Sequence, residues 1–396
     1  MKYIFSLVVC AVTLSFVAQN KAIEFEKLTF DQALAKAKKE QKLIFMDAYT
    51  SWCGPCKWMS KHMFTNDKIA EYFNREFINV KFDMEKGEGV DIAKRYQVYC
   101  YPNLLFIDGD GKLVHRTAGA AQEVQDYLDM GETAKNPETR FGAWEAQYES
   151  KKNDVAFMQE YITLLAGTCL PMDEKLKYYF EMQDEKDLLK DYNWRTMFYY
   201  TRDFNSKEFK YLLAHQDEFA SKYTADSVQM KVSYVFRDAG NRIFYRKDYQ
   251  EEDYKALVKQ IKDLNFAGHE AVLFHLELAR INKMGSKEEM IAYAVAHGDK
   301  YYQLEDLNSI SWTIYESSDD PKALQKAASW MAKLTSSEMG NNYACLDTYA
   351  AVLYKLKDKE KATKYAEMAI AKAKEEGLDK SRYKDTEKLL DKIKKL

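Results

Sequence analysis

Two cysteines separated by two residues constrain this chain more than any other feature of its sequence. They occur in SWCGPCKWM, residues 51–59, where Gly54 and Pro55 separate Cys53 from Cys56. A short apolar segment precedes the pair and a helical run follows it, which places both cysteines at a predicted strand-to-helix junction. From the residues alone, such a pair can exchange electrons, supply two metal ligands or close a small disulfide loop.

The segments around the pair alternate between helical and extended patterns. The apolar segment Leu43–Ala48 predicts a buried strand, and 77–85 predicts a second one. Two more predicted strands flank the Gly-Asp-Gly sequence at 109–111, which is a hairpin signal. Helical runs lie at 29–41, 57–64, 65–77, 90–98 and 120–130. This alternation predicts an α/β domain in which helices flank a central sheet.

This part of the chain resembles the thioredoxin family. The motif WCGPC stands at 52–56, Asp47 matches the family's buried acid, and Pro102 in VYCYPNLLFIDGDGK matches its cis-proline. Lys81 also falls on a family position. The resemblance covers about a third of the chain. It implies a thioredoxin-like domain over 24–131, with a central mixed sheet between helices.

The resemblance assigns thiol–disulfide exchange to the cysteine pair. Cys53 would attack a disulfide as the thiolate, and Cys56, one helical turn later, would resolve the mixed disulfide. Unpaired N–H groups and the helix dipole favour the ionised form of Cys53, so that a cysteine pKa near ~8.5 falls to about 7. Gly54 and Pro55 permit the tight helix start, and Cys56 is expected to be the more buried cysteine.

Four further residues are implied as parts of this site. Asp47 should be buried beneath the pair, where desolvation raises its pKa and lets it exchange a proton with Cys56; an ordinary strand-end acid is the alternative. Lys81 is the expected charged partner of Asp47, or else a solvated strand residue. Pro102 should be cis and present an extended backbone edge to a substrate strand. Trp52 completes the motif.

The two other chemistries of a cysteine pair have weaker support. A zinc site needs four ligands, yet the sequence has no second CxxC and only His62 lies near the pair, so we expect no metal and no bound cofactor. A structural disulfide over so short a loop would stabilise little. Cys100 is interpreted as a spectator or as a third redox thiol, and Cys169 and Cys345 are interpreted as core residues.

The N-terminal segment predicts export. Lys2 is followed by an apolar run over 3–17, and polar residues follow from Gln19. This pattern is typical of a secretory signal peptide, here 1–20, on a periplasmic or otherwise extracytoplasmic protein; an uncleaved anchor is the alternative. The net charge of -3 and the pI of about 6.2 provide no basic field that would attract nucleic acid.

The rest of the chain has a helical pattern. The composition changes at 131–140, the predicted linker, and 140–396 has almost no strand signals. The sequence from Leu307 realigns with the sequence from Leu346 at an offset of 39 residues, and each copy spans two helices with small alanines in the second. This all-α region resembles tetratricopeptide-like helical-hairpin repeats; an irregular helical bundle is the alternative.

The motif and the resemblance together predict an exported thioredoxin-like oxidoreductase. It would exchange dithiols and disulfides with protein substrates and with an electron-donor or -acceptor protein, which could be membrane-bound. The CGPC sequence favours a reductant, and the helical region would recruit a protein partner. One alternative is a binding or chaperone-type assembly protein in which the thioredoxin-like domain is a scaffold. A disulfide isomerase is a third hypothesis.

Overall fold

A computed structural model describes residues 22–396 of the chain. The predicted signal peptide over 1–20 and Cys10 lie outside these described residues. The chain divides into two compact units, Met1–Tyr192 and Asn193–Leu396, and each is described by itself. Among residues 22–396, no helix combines the length and apolarity that a membrane span requires.

A four-stranded mixed sheet forms the centre of the first unit. The strands are β1 (Leu43–Tyr49), β2 (Phe77–Asp83), β3 (Asn103–Ile107) and β4 (Leu113–Ala118). Their order is β2-β1-β3-β4, with β1 and β2 parallel and the other two pairings antiparallel. The helices are α1 (Phe30–Glu40), α2 (Gly54–His62), α3 (Asp67–Glu76), α4 (Gly89–Arg95), α5 (Val124–Lys135), α6 (Phe141–Lys151), α7 (Val155–Ala166) and α8 (Asp173–Glu181). The predicted mixed sheet flanked by helices is confirmed.

Local sequence signals set several of these boundaries. Thr29 and Gln32 form a capping box, in which each side chain accepts a hydrogen bond from the backbone N–H of the other. Asn66 caps α3 by accepting from the Lys68 backbone N–H. Between β3 and β4, Gly111 has φ +80, a left-handed conformation that a glycine adopts without penalty.

Apolar side chains cover both faces of the sheet. Successive residues of a strand point to opposite faces, so Phe45 lies on one face of β1 while Ile44 and Met46 lie on the other. The Phe45 ring packs against Phe73 of α3 and Phe106 of β3, with centroids 4.6 Å and 5.3 Å away. The opposite face packs against α1 and α4. By this alternation, Asp47 lies on the Phe45 face, at the end of β1 that leads to the cysteine pair.

The predicted linker begins inside α5. Gly131 lies in this helix, and the Tyr72 ring packs so close to it that a Cβ at this position would lie 2.5 Å from the ring. Only residues 136–140 connect α5 to α6, and α6 packs on β4, where the Phe141 N–H donates to His115 Nδ1 at 3.1 Å. The first compact unit therefore includes α6 to α8. The domain boundaries 24–131 and 140–396 stay predictions.

The second unit is entirely helical, and α9 (Asp191–Tyr200) spans the boundary between the units. The other helices are α10 (Lys207–Ala214), α11 (Gln216–Lys222), α12 (Ala225–Phe244), α13 (Glu251–Leu264), α14 (His269–Met284), α15 (Lys287–Tyr301), α16 (Leu304–Ser317), α17 (Pro321–Thr335), α18 (Tyr343–Lys355), α19 (Lys359–Glu375) and α20 (Lys380–Lys394). The predicted all-α region is confirmed. In this region α18 begins 39 residues after α16, which is the offset of the sequence repeat. Ala327 and Ala366 occupy matching positions of the two copies, and both are fully buried. The repeat type stays a prediction.

Candidate active site

The cysteine pair lies at the start of α2. Cys53 is the N-cap residue of this helix, and its Sγ accepts a hydrogen bond from the Cys56 backbone N–H at 3.1 Å. The two residues form a disulfide with a Cα–Cα distance of 5.3 Å. Cys53 is 2% exposed and Cys56 is 3% exposed. The prediction that Cys56 is the more buried cysteine is therefore wrong for this oxidised form, because the bond holds both sulfurs at the same depth.

The two residues between the cysteines shape the helix start. Gly54 and Pro55 lie in the first turn of α2, where a proline removes only an N–H group that no helical carbonyl would accept. A Cβ on Gly54 would meet no described atom within 4 Å, so the backbone is open on this side. The Cys56 N–H that donates to Cys53 Sγ, together with the helix dipole, favours the Cys53 thiolate once the disulfide is reduced.

Asp47 and Lys81 form a charged pair beneath this site. They are opposite each other in the β1–β2 register, and Lys81 Nζ lies 3.4 Å from Asp47 Oδ2. Asp47 is fully buried, and no described residue donates a well-oriented hydrogen bond to its carboxylate oxygens. Burial raises the pKa of Asp47 to about 6, while the Lys81 charge opposes that rise. The carboxyl group therefore changes protonation near neutral pH.

An open cavity of about 410 Å³ is lined by both Lys81 and the second cysteine. Cys56, Ser60 and Lys81 are among its lining residues. The Lys81 ammonium donates to Ser60 Oγ at 3.3 Å and lies 4.6 Å from the centre of the Tyr49 ring. The cavity therefore opens onto both Cys56 and Lys81, although Cys56 itself is only 3% exposed. No local sequence pattern predicts the contact between Ser60 and Lys81, because it depends on the position of α2 over β2.

The loop before β3 carries the cis-proline. The Tyr101–Pro102 peptide bond is cis, as the resemblance implies, and the Pro102 carbonyl accepts from the Gly119 N–H at 2.9 Å. The Tyr101 ring packs edge-to-face on Trp52, with centroids 5.9 Å apart, which brings this loop next to the cysteine motif. No described residue forms a hydrogen bond with the Tyr101 backbone, so its N–H and C=O are available to another strand.

Trp52 is an exposed residue of the motif. Its side chain is 65% exposed, and its Nε1–H donates to Glu85 Oε2 at 2.9 Å. Glu85 lies after β2, in a loop that sequence patterns do not connect with the cysteine motif. This contact fixes the orientation of the indole ring beside the disulfide. The sequence missed Glu85 because the contact spans 33 residues.

A second disulfide joins Cys100 to Cys169, with a Cα–Cα distance of 6.3 Å. The interpretation of Cys100 as a spectator thiol and of Cys169 as a core residue is therefore wrong. The two cysteines are 69 residues apart, and sequence spacing alone does not determine disulfide connectivity. Cys345 is a buried free thiol, in agreement with its interpretation as a core residue.

Comparisons with known proteins place the cysteine motif in a family. The family model described as "Thioredox_DsbH: Protein of unknown function, DUF255" matches residues 15–104. Thioredoxin-2 of Saccharomyces cerevisiae is 35% identical over 91 residues, which are 23% of this chain and 78% of the yeast protein. The chain belongs to the thioredoxin family.

Other thioredoxins match the same part of the chain. The chloroplastic thioredoxin Y of Oryza sativa subsp. japonica is 32% identical over 114 residues, 27% of this chain, and this chain spans 64% of that protein. A protein of Bacteroides thetaiotaomicron solved in solution is 46% identical and aligns with 30% of this chain and 98% of its own, with a TM-score of 0.28. The residues that match the family model end before α5, so the helical part lies outside them.

Proposed function

We propose that this protein is an exported thioredoxin-like thiol–disulfide oxidoreductase that acts on protein disulfides through Cys53 and Cys56. The thioredoxin-like domain, 24–131, carries the chemistry, and the helical region, 140–396, recruits a protein partner. The observation that carries the proposal is the Cys53–Cys56 disulfide at the start of α2, above a buried Asp47 whose pKa is raised to about 6.

The site supports a two-step reduction of a substrate disulfide. In the reduced protein, the Cys53 thiolate attacks one substrate sulfur, a mixed disulfide forms, and the other substrate sulfur leaves as a thiolate. Asp47 accepts the proton of the Cys56 thiol, and the Cys56 thiolate attacks Cys53. The substrate leaves as a dithiol, and the Cys53–Cys56 disulfide forms with the loss of two electrons from the enzyme. A partner dithiol restores the starting state.

Two observations support export. The apolar run over 3–17 has the length of a signal peptide core. The Cys100–Cys169 disulfide joins residues far apart in the sequence, and such bonds persist in oxidising compartments rather than in the cytosol. Both observations fit a protein that works outside the cytoplasm.

Reduction of insulin disulfides by dithiothreitol, with and without the protein, tests the activity. Cys53→Ser should abolish the acceleration, and Cys56→Ser should trap a mixed disulfide at Cys53. Asp47→Asn should slow the reaction at pH 7 by about a hundredfold, the lower end of what general acid–base catalysis supplies. An unchanged rate in Cys53→Ser would rule out the proposed chemistry.

The reduction potential of the Cys53–Cys56 pair tests the direction of electron flow. Trp52 lies beside the disulfide and is exposed, so its fluorescence is a suitable probe during titration in a dithiol/disulfide buffer series. A potential of about -270 mV supports a reductant, and a potential of about -120 mV supports a disulfide donor instead.

A further inference from the structure

The connection between α7 and α8 reaches the loop that carries the cis-proline. The Gly167 carbonyl accepts from the Ala118 N–H at 2.8 Å, at the end of β4. The next carbonyl, of Thr168, accepts from Asn103 Nδ2 at 3.5 Å, and Asn103 directly follows Pro102. Cys169 is bonded to Cys100, two residues before the same proline. Three consecutive residues of the connection thus contact the borders of the loop.

The connection is held in a defined conformation. Thr168 is fully buried, and its hydroxyl donates to the Leu165 carbonyl at 2.6 Å and accepts from the Leu170 N–H at 3.2 Å. Cys169 has φ +61, a left-handed conformation that is unfavourable for a residue with a side chain. The disulfide to Cys100 and the hydrogen bonds around Thr168 maintain this conformation.

We propose that residues 167–169 form a wall of the substrate site, and that the Cys100–Cys169 disulfide fastens this wall to the cis-proline loop. This inference rests on the proposed function. A substrate strand that pairs with the Tyr101 backbone lies between the Trp52 and Tyr101 rings on one side and this wall on the other. The wall limits the size of the residues that flank the substrate cysteine.

Two features of the first unit favour a wall rather than a purely structural brace. Gly119 and Gly167 leave open space beside the loop, since a Cβ on Gly119 would meet no described atom within 4 Å, and one on Gly167 would meet only the Leu164 carbonyl at 3.5 Å. Cys100 and Cys169 are both partly exposed, so the bond lies at the surface and not in the core.

The test uses single-turnover reaction of the oxidised full-length protein with peptide thiols. A peptide thiolate attacks Cys53, the Cys53–Cys56 bond breaks, a mixed disulfide forms, and Cys56 leaves as a thiolate. One pentapeptide has glycines around its cysteine, and the other has tryptophans. Acid quenching, digestion and mass spectrometry give the rate at Cys53. Each rate is divided by the rate of the same variant with dithiothreitol, which corrects for changes in intrinsic reactivity.

Three variants give distinct expectations for the ratio of the glycine-peptide rate to the tryptophan-peptide rate. In C100S/C169S the wall is released, and the ratio should fall on the order of tenfold, the range that steric discrimination supplies. Gly167→Leu keeps both disulfides and adds bulk to the wall, so the ratio should rise. Cys345→Ser removes a buried cysteine of the second unit and should leave the ratio unchanged.

The outcomes separate this inference from the proposed function. If the ratio of the glycine-peptide rate to the tryptophan-peptide rate is unchanged in both C100S/C169S and Gly167→Leu, the proposed wall is refuted and the proposed exchange chemistry is unaffected. If C100S/C169S fails to fold, Gly167→Leu alone decides, because it leaves the disulfides in place and its side chain has space. A wild-type protein whose Cys53–Cys56 disulfide resists dithiothreitol contradicts the proposed function itself.

Discussion

Replacing Asp47 with asparagine should stabilise the oxidised protein at pH 8 and have little effect on its stability at pH 4. Asp47 is fully buried, and burial raises its pKa from 3.8 to about 6. A carboxyl group with a raised pKa binds its proton more tightly in the folded state than in the unfolded state. The folded protein therefore loses stability as the pH rises from 3.8 to about 6.

The size of this effect follows from the two pKa values. The difference between 3.8 and about 6 corresponds to about 3 kcal/mol, at about 1.4 kcal/mol per pH unit. The loss is complete above pH 6 and nearly absent below pH 4. Asparagine has almost the same shape and does not ionise. The gain in unfolding free energy should be about 3 kcal/mol larger at pH 8 than at low pH, whatever the asparagine amide itself contributes.

Hydrogen exchange measured by mass spectrometry on the full-length oxidised protein gives the required free energies. The amides of β1 and β3 report on the opening of the sheet, after correction for the intrinsic exchange rate at each pH. Asp83→Asn is the matched control at the end of β2. Burial raises the pKa of Asp83, but the Glu85 N–H and the Lys86 ammonium outweigh it and hold that pKa below its usual value. Asp83→Asn should therefore lower the unfolding free energy more at pH 8 than at pH 4, which is the opposite of the effect expected for Asp47→Asn.

Equal effects of Asp47→Asn at pH 4 and pH 8 would refute this reasoning. They would mean that burial does not raise the pKa of Asp47, because Lys81 or solvent compensates the buried charge fully. Asp47 would then have no raised pKa with which to exchange protons near neutral pH.

Three further predictions concern packing and burial. Burial lowers the pKa of His115 to about 4, so protonation of His115 should by itself cost about 3 kcal/mol of stability as the pH falls from 6.5 to 4; His115→Gln should therefore gain about that much stability relative to wild type over this range, and a constant difference between the two proteins would contradict this. Gly89→Ala places a Cβ 2.0 Å from a backbone carbonyl and should lower the unfolding free energy by about 1–3 kcal/mol, whereas Gly54→Ala meets no described atom within 4 Å; equal melting temperatures would contradict this contrast. Ala366→Leu overpacks a fully buried position and should lower the unfolding free energy, measured with urea, by about 1–3 kcal/mol. The control Lys364→Leu changes an exposed position of the same helix and should not lower it.

The Asp47 and His115 effects have opposite signs over nearly the same pH range. As the pH falls from 6.5 to 4, protonation of Asp47 relieves a buried charge while protonation of His115 creates one. The wild-type stability of the sheet should therefore depend little on pH in this range. Asp47→Asn should leave only the His115 effect, and His115→Gln should leave only the Asp47 effect, so each variant should show a pH dependence that the wild type lacks.

Features set by neighbouring residues in the chain could be predicted from the sequence. The helical run from Thr29, the apolar strand β1 and the hairpin at 109–111 each depend on a few consecutive residues, and the structure has these elements at the predicted positions. The cysteine motif is local as well. Asp47 and Pro102 were assigned from the family resemblance, which carries information about distant contacts.

Features that depend on contacts between distant segments were missed. Cys100 and Cys169 are joined across 69 residues, and Trp52 contacts Glu85 across 33 residues. Gly131 resembled part of a linker because glycine is unfavourable in helices, but the Tyr72 ring requires a glycine at that position of α5. The sequence pattern around each of these residues is compatible with several partners, and only the packed fold selects one.

The 69-residue separation of Cys100 and Cys169 in the sequence has a consequence for biosynthesis. A chain made from its N-terminus presents Cys53, Cys56 and Cys100 before Cys169 has been synthesised. In that interval Cys100 has no partner, and the edge of β4 lacks both α6 and the Gly167 carbonyl. If residues 167–169 limit the substrate as proposed, the nascent protein acquires its reactive pair before its selectivity. The partly made chain would then accept a wider range of partners than the finished protein.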